Sequence, residues 1–456
     1  MRRWLLGLVG ALALMAACSS SDDDASSKAG LACDAGVCPS GSSGATSSGD
    51  IPGGEGGTAS ASSSSSGGTP PEAGSVPGTL PAGLAPKMLL GLFEDLGQPW
   101  MKNSGVPWNA RYRYLVKGWE NNFGYGPHDG SWARSYWEEC DKLGAVPAVS
   151  YYVMNGEPGG SESSFLAKAQ NVGTMTSYFS DFKLLMQQAK QFAKPVFIML
   201  EPDGYAFLQQ QAKNDPKTAA AVASTGLPEL AGLPNTVEGW GLAFLAIRKA
   251  VGANNAILGM HISAWASTKD VSYVSVTDPL EPEIAKVYDF LAPLGLSPNV
   301  TGQTYDVLVG DPLDRDSDYY RLVKADPNRW WDEKESAPVA SRSFNRYAEW
   351  LRLWNVKTSK RWVLWQIPVG NSNHLNVNND GQPRQGYKDN RPEYFLGPDR
   401  SAHLEKFAKS GVIALLFGAG LGGMSSYEND TYTDGKLFMQ THAAEFFKAG
   451  GFPIAP

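Results

Sequence analysis

The sequence predicts an α/β domain with the architecture of a (β/α)8 TIM-like barrel, and three observations carry that expectation. Eight short apolar runs lie between Lys87 and Pro456, amphipathic stretches separate most of them, and the runs are continuously Val/Ile/Leu-rich rather than alternating. A strand that is apolar on both faces belongs to a parallel sheet covered by helices, and eight such strands in a segment of this size close into a barrel. In chain order the strands are "KMLLGLFE", "RYRYLV", "AVPAVSYYV", "PVFIMLE", "AILGMHISAW", "YDVLVG", "RWVLWQIPV" and "VIALLFGAG". Helical periodicity marks "MTSYFSDFKLLMQQAKQF", "GWGLAFLAIRKAV", "FNRYAEWLRLWNV" and "SAHLEKFAKSG". Trp350 and Trp354, four apart, read as a buried stripe on the third of these. "RYRYLV" has the weakest strand pattern and "NARYRYLVKGWENNF" also reads as loop, so a seven-stranded relative is the alternative.

The chain opens on a basic "MRRW" and the apolar "LLGLVGALALM", long enough for a signal peptide and too short to span a bilayer. Small residues then lead to Cys18 in "LMAAC", which resembles a bacterial lipobox. That resemblance implies a signal over 1–18, acylation of Cys18, a lipid anchor in the cell envelope and, with Ser19 rather than Asp next, outer-membrane sorting. An ordinary secretory signal cleaved near Ala17 is the alternative. Residues 19–86 are nearly all Ser, Gly, Ala, Pro and Asp and cannot bury enough apolar surface to offset ordering, so they read as a disordered linker before a catalytic domain over 87–456. Cys33 and Cys38, inside it, suit a small disulfide loop in an oxidising compartment, and Cys140 is left as a buried structural thiol.

The net charge of −7, without a basic cluster, argues against nucleic acid. Five histidines with no HExxH argue against a zinc enzyme, and neither a P-loop nor a GxSxG elbow is present. "DRDSDYY" spaces Asp314, Asp316 and Asp318 alternately, but Tyr319 and Ala325 stand where a calcium loop wants Gly and an acid. Neither a metal nor a cofactor is expected, and a monomer is.

Chemistry is concentrated in acids at strand ends, the face where such barrels place their active sites. These are Glu94 and Asp95 in "LFEDLG", Glu201 and Asp203 in "LEPDG", and Asp311, Asp314 and Asp316 in "GDPLDRD". Pro202 is expected to hold Glu201 extended. Two carboxylates in a partly desolvated mouth have their pKa values pushed apart, which suits glycosidic cleavage by an acid and a base. The plainer reading of "EPD" is a helix cap or a partner for an arginine. The same lip carries Trp100, Trp108, Trp119, Trp132, Tyr151, Tyr152, Tyr205, Trp265, Trp330, Trp331 and Trp365, rings of the kind that stack on sugars. Tyr152, Tyr205, Trp265 and Trp331 are the expected substrate contacts among them, with Gln366 at the end of the seventh strand. His261 reads equally as a substrate contact or a core histidine. In the Asn-rich loop after the seventh strand, Asn371, His374 and Asp389 suit hydroxyl recognition.

At "IMLEPDGYAFLQQQ" the chain resembles glycoside hydrolase family 6, whose general acid is the Asp of an E-P-D motif. The resemblance implies Asp203 as the acid, with Glu201 beside it. The aspartate-rich segment of that family is replaced here by "SYYVMNGEPGG". The strand order also resembles the retaining (β/α)8 glycosidases, with Glu201 in the place of their acid/base. Their nucleophile position on the seventh strand reads "VLWQIP", with Gln366 and no carboxylate. "RWVLWQIPVGN", "KDNRPEYFLG" and "GVIALLFGAG" are similar to uncharacterised secreted bacterial barrel proteins. The expectation is a glycosidase acting on an extracellular polysaccharide, with Glu201 or Asp203 as acid, Asp316, Asp314 or Asp95 as base, and inversion at the anomeric carbon. A non-catalytic glycan-binding or adhesion lipoprotein, or a structural envelope protein, are the rivals.

Overall fold

A computed structural model of the chain describes residues 76–271, 278–326, 329–332, 343–370, 387–418, 420, 424–425 and 438–456. The signal, most of the linker, Cys18, Cys33, Cys38, Asn371 and His374 lie outside these residues. Eight parallel strands, β1 (Leu89–Phe93), β2 (Ala110–Val116), β3 (Val146–Tyr152), β4 (Val196–Leu200), β5 (Ala256–His261), β6 (Val307–Gly310), β7 (Arg361–Ile367) and β8 (Val412–Phe417), pair in sequence order. β8 returns to β1 through Leu89↔Ala414 to Leu92↔Phe417, which closes the barrel.

The count is eight rather than seven because "RYRYLV" is a full strand. β2 pairs with β3 along its length, from Ala110↔Val146 to Val116↔Tyr152, and with β1 from Gly91↔Ala110. The two chains approach so closely there that a Cβ on Gly91 would lie 2.3 Å from the Ala110 carbonyl oxygen. Its pattern looked weak because charge sits on the helix-facing side. Arg111 is fully buried there, paired with Glu94 at 3.0 Å and Glu139 at 2.6 Å.

The helices start where short polar side chains satisfy free N–H groups. Asn171 accepts from Thr174 N (2.9 Å) to open Val172–Phe192, Thr236 from Gly239 N (3.3 Å) to open Val237–Val251, and Ser343 from Arg346 N (3.2 Å) to open Phe344–Thr358. Further helices cover Ser131–Lys142, Gly204–Gln211, Glu281–Leu291, Arg400–Lys409 and Phe438–Lys448. Trp350 and Trp354 are buried as a stripe, and Trp350 meets Trp362 of β7 at 5.3 Å, so this helix is fixed to the sheet by indole packing.

The floor of the barrel, at the N-terminal ends of the strands, is tied by polar clamps. Buried Arg361 donates to the Gly78 carbonyl (3.0 Å) and to those of Ala455 (3.1 Å) and Pro456 (3.3 Å), and Asn355 donates to Pro77 O (3.0 Å). Residues 76–86, assigned to the linker on composition, therefore lie against the barrel, with Leu80 and Leu84 packed on its core.

Candidate active site

The "EPDG" turn after β4 answers where its two acids go. Glu201 and Asp203 both take left-handed backbone, φ 40° and 60°, and Gly204 N closes the turn on Glu201 O at 2.9 Å. Glu201 is thus not held extended by Pro202. Left-handed non-glycine residues each cost on the order of 1 kcal/mol and persist where surroundings enforce them, commonly at functional sites. The result is that the two carboxylates part company.

Glu201 turns to the helix side of the sheet and is fully buried. Its Oε1 accepts from Val153 N (3.2 Å), Met154 N (3.0 Å) and the Tyr178 hydroxyl (2.7 Å) of the helix Val172–Phe192. Lys168 Nζ takes the carbonyls of the same segment, Met154 O (2.9 Å) and Asn155 O (3.2 Å). Acid and ammonium together fasten the turn after β3. Burial pushes the Glu201 carboxyl up to about 8.

Asp203 turns into the mouth and is only partly buried. It precedes the helix Gly204–Gln211, yet its side chain makes no cap. Its Oδ1 instead accepts from Ser263 Oγ at 2.5 Å, and its backbone N–H donates to His261 Nδ1 at 3.2 Å. Burial first, and the Asp311 charge second, push the carboxyl up to about 7, with His261 and Ser263 opposing. Because Nδ1 of His261 accepts, the ring proton sits on Nε2. Nε2 lies 3.5 Å from Oδ1 of Asp311, the residue just past β6.

β7 supplies the wall beside this group. Its register with β8 shifts between Leu364 and Ile367, and Gln366 is left-handed at φ 53°, which marks a bulge of the kind that re-aims side chains. Trp365 packs edge-on to His261 (6.0 Å) and Tyr114 (5.3 Å), while Gln366 is buried. Tyr114 meets Tyr152 at 6.1 Å, and the Tyr152 hydroxyl bonds to the Glu162 carboxylate. Trp265, two residues beyond Ser263, is half-buried and edge-on to Phe207 at 5.2 Å.

The other expected residues are engaged elsewhere. Asp95 pairs with Arg113 at 2.7 Å, and Asp314 with Arg315 at 2.5 Å and the Tyr320 hydroxyl. Asp316 is fully buried and binds the loops after β7 and β8, accepting from Gly370 N (3.1 Å), Ser425 N (2.6 Å) and Ser425 Oγ (2.5 Å). Asp389 is buried against Arg391 at 2.7 Å, whose guanidinium covers buried Trp331 at 4.2 Å. Tyr205 is a core residue bonded to Tyr305 at 2.9 Å. Burial pushes the Cys140 thiol up to about 12, so it is inert. Among the described residues no cluster of three His, Cys, Asp or Glu is disposed to hold a metal ion.

Sequence reasoning passed over Ser263, Glu162 and, as a partner, Asp311. Two signals were present. Ser263 shares the i, i+2 spacing with His261, and Asp311 is the first residue after the strand "VLVG".

No family model and no curated protein matches the chain. Solved structures do. A GH26 β-mannanase from Bacteroides ovatus aligns at 12% identity and a TM-score of 0.41, over 80% of this chain and 89% of its own. A Bacteroidetes-affiliated GH5 cellulase linked with a polysaccharide utilization locus aligns at 11% and 0.44, over 79% and 91%. Cellulose synthase subunit Z from Clostridioides difficile aligns at 11% and 0.40, over 78% and 99%.

Proposed function

We propose that the chain is a glycoside hydrolase acting on an extracellular polysaccharide, with Asp203 as general acid and Asp311 as the carboxylate that activates water. The observation that carries this reading is the placement of Asp203. It is an acid at the end of β4 that does not cap its helix and, among the described residues, meets no arginine; Ser263 holds it, and burial pushes its carboxyl up to about 7. Most other strand-end acids have the plain roles of ion pairs or loop ties.

Asp203 gives its proton to the oxygen of the departing sugar as the glycosidic C–O bond breaks. Asp311 takes a proton from the water that forms the new C–O bond, and solvent returns the proton to Asp203. His261 takes the Asp203 backbone N–H on Nδ1 and faces Asp311 through Nε2, an arrangement compatible with an inverting mechanism in which a water stands between the two carboxylates. Trp265 and Tyr152 are the rings that would stack on the glycan, and Gln366 at the end of β7 is a further contact. The same proposal places the protein as a monomer in the cell envelope, held by a lipid on Cys18.

The test is release of reducing sugar from a panel of plant, fungal and bacterial polysaccharides, with the anomer of the first product read by proton NMR. Release that Asp203→Asn abolishes, with an inverted anomer, is expected. Binding without release on every polymer would move the reading to a glycan-binding protein.

A further inference from the structure

We propose that the mouth is built for an uncharged glycosyl unit, one hydroxyl of which sits against both His261 and Asp311. This deepens the hydrolase reading and rests on it for the class of ligand. Among the described residues, His261 Nε2 and Trp365 Nε1 are buried donors without a hydrogen-bond partner, each on a side chain 1% exposed. What sets these two apart from other buried donors is their place, with rings 6.0 Å apart beside Asp203 and Asp311, and that place points to an oxygen-bearing ligand.

Asp311 indicates which kind of oxygen. At 3.5 Å from His261 Nε2 it is too far for a good hydrogen bond, yet one hydroxyl oxygen can reach both groups. The hydroxyl accepts from Nε2–H and donates its own proton to Asp311 Oδ1. A carboxylate or sulfate could accept from His261 but has no proton for Asp311. It would also meet like charge, since Asp311 and Glu162 both lie close enough to Asp203 to raise its carboxyl.

Among the described residues, the cations nearest those acids are committed. Arg315 is paired with Asp314, and Lys168 with the Met154 and Asn155 carbonyls. An anionic ring entering here is repelled at low local dielectric.

The test is electrophoresis of the full-length protein in native gels containing β-glucan, mannan, xylan, polygalacturonate or alginate. Asp203→Asn is included so that a hydrolysed polymer is not mistaken for an unbound one. Retardation by at least one neutral glycan and by neither polyuronate is expected. His261→Asn keeps an acceptor for the Asp203 N–H but removes the Nε2 donor. It and Asp311→Asn should each weaken retardation by about tenfold, the cost of one hydrogen bond to a charged or buried partner. Circular dichroism confirms that the variants are folded. Tighter retention on a polyuronate, no effect of either variant, or no retardation by any glycan would overturn the inference. Neutral-glycan binding without hydrolysis would instead sink the hydrolase reading and leave this one standing, and hydrolysis of a polyuronate would do the reverse.

Discussion

Replacing Glu201 separates a catalytic role from a structural one, because its surroundings dictate opposite outcomes for two substitutions. Glu201→Ala leaves the Val153 and Met154 N–H groups and the Tyr178 hydroxyl without their acceptor. At about 1–2 kcal/mol for each buried donor left unsatisfied, the loss is about 3–6 kcal/mol. A domain this long shifts in Tm by only on the order of 1 °C per kcal/mol, so a fall of several degrees is expected. Glu201→Gln keeps the accepting oxygen and mimics the protonated acid, which is the prevailing form below about pH 8. The folded pKa is raised above the unfolded value. Wild-type stability from this group is therefore fully present in acid and is lost as pH rises through about 8, whereas Gln does not titrate. Glu201→Gln should melt close to wild type near pH 5 and above it at pH 9. Sugar release by Glu201→Gln should stay within a few-fold of wild type. Thermal melts at the two pH values and a rate measurement check both. Loss of turnover in Glu201→Gln with an unchanged melt would refute the structural assignment and return the acid to Glu201.

Four more outcomes follow from the same geometry. Asp203→Asn should lower kcat/KM by about 10²–10⁴ while leaving the melt nearly unchanged. In the wild type kcat/KM should fall as pH rises through about 7, since the acid must be protonated to act, and a pH–rate profile reads this directly. Asp316→Ala should destabilise by about 3–5 kcal/mol, because it strands three buried donors that tie two loops, and a denaturant titration measures the loss. Trp265→Ala should raise KM several-fold with little change in kcat if its ring is a binding platform, which steady-state kinetics on a soluble oligosaccharide would show.

The barrel was legible because burial on both faces writes itself as continuous apolar runs, and β2 was obscured only by its outward arginines. The site was legible to the level of which acids end strands. It was not legible which way a turn throws them. Glu201 and Asp203 are two residues apart, and only the left-handed backbone at each decides that one faces a helix and the other the mouth. Asp316 looked like a cleft acid because its partners are distant in sequence: Gly370 is 54 residues away and Ser425 is 109. No local pattern reports such a tie. Asp311 was visible as a strand-end acid, but choosing it over Asp314 required seeing that Arg315 engages the latter.

The Arg361 clamp has a bearing on how the molecule meets its surroundings. By gripping Gly78 on one side and Ala455 and Pro456 on the other, it brings the chain into the barrel from beneath, at the pole opposite the mouth. The first described residues of the chain and its last ones are thus fastened together at the end of the strands away from Asp203 and Asp311.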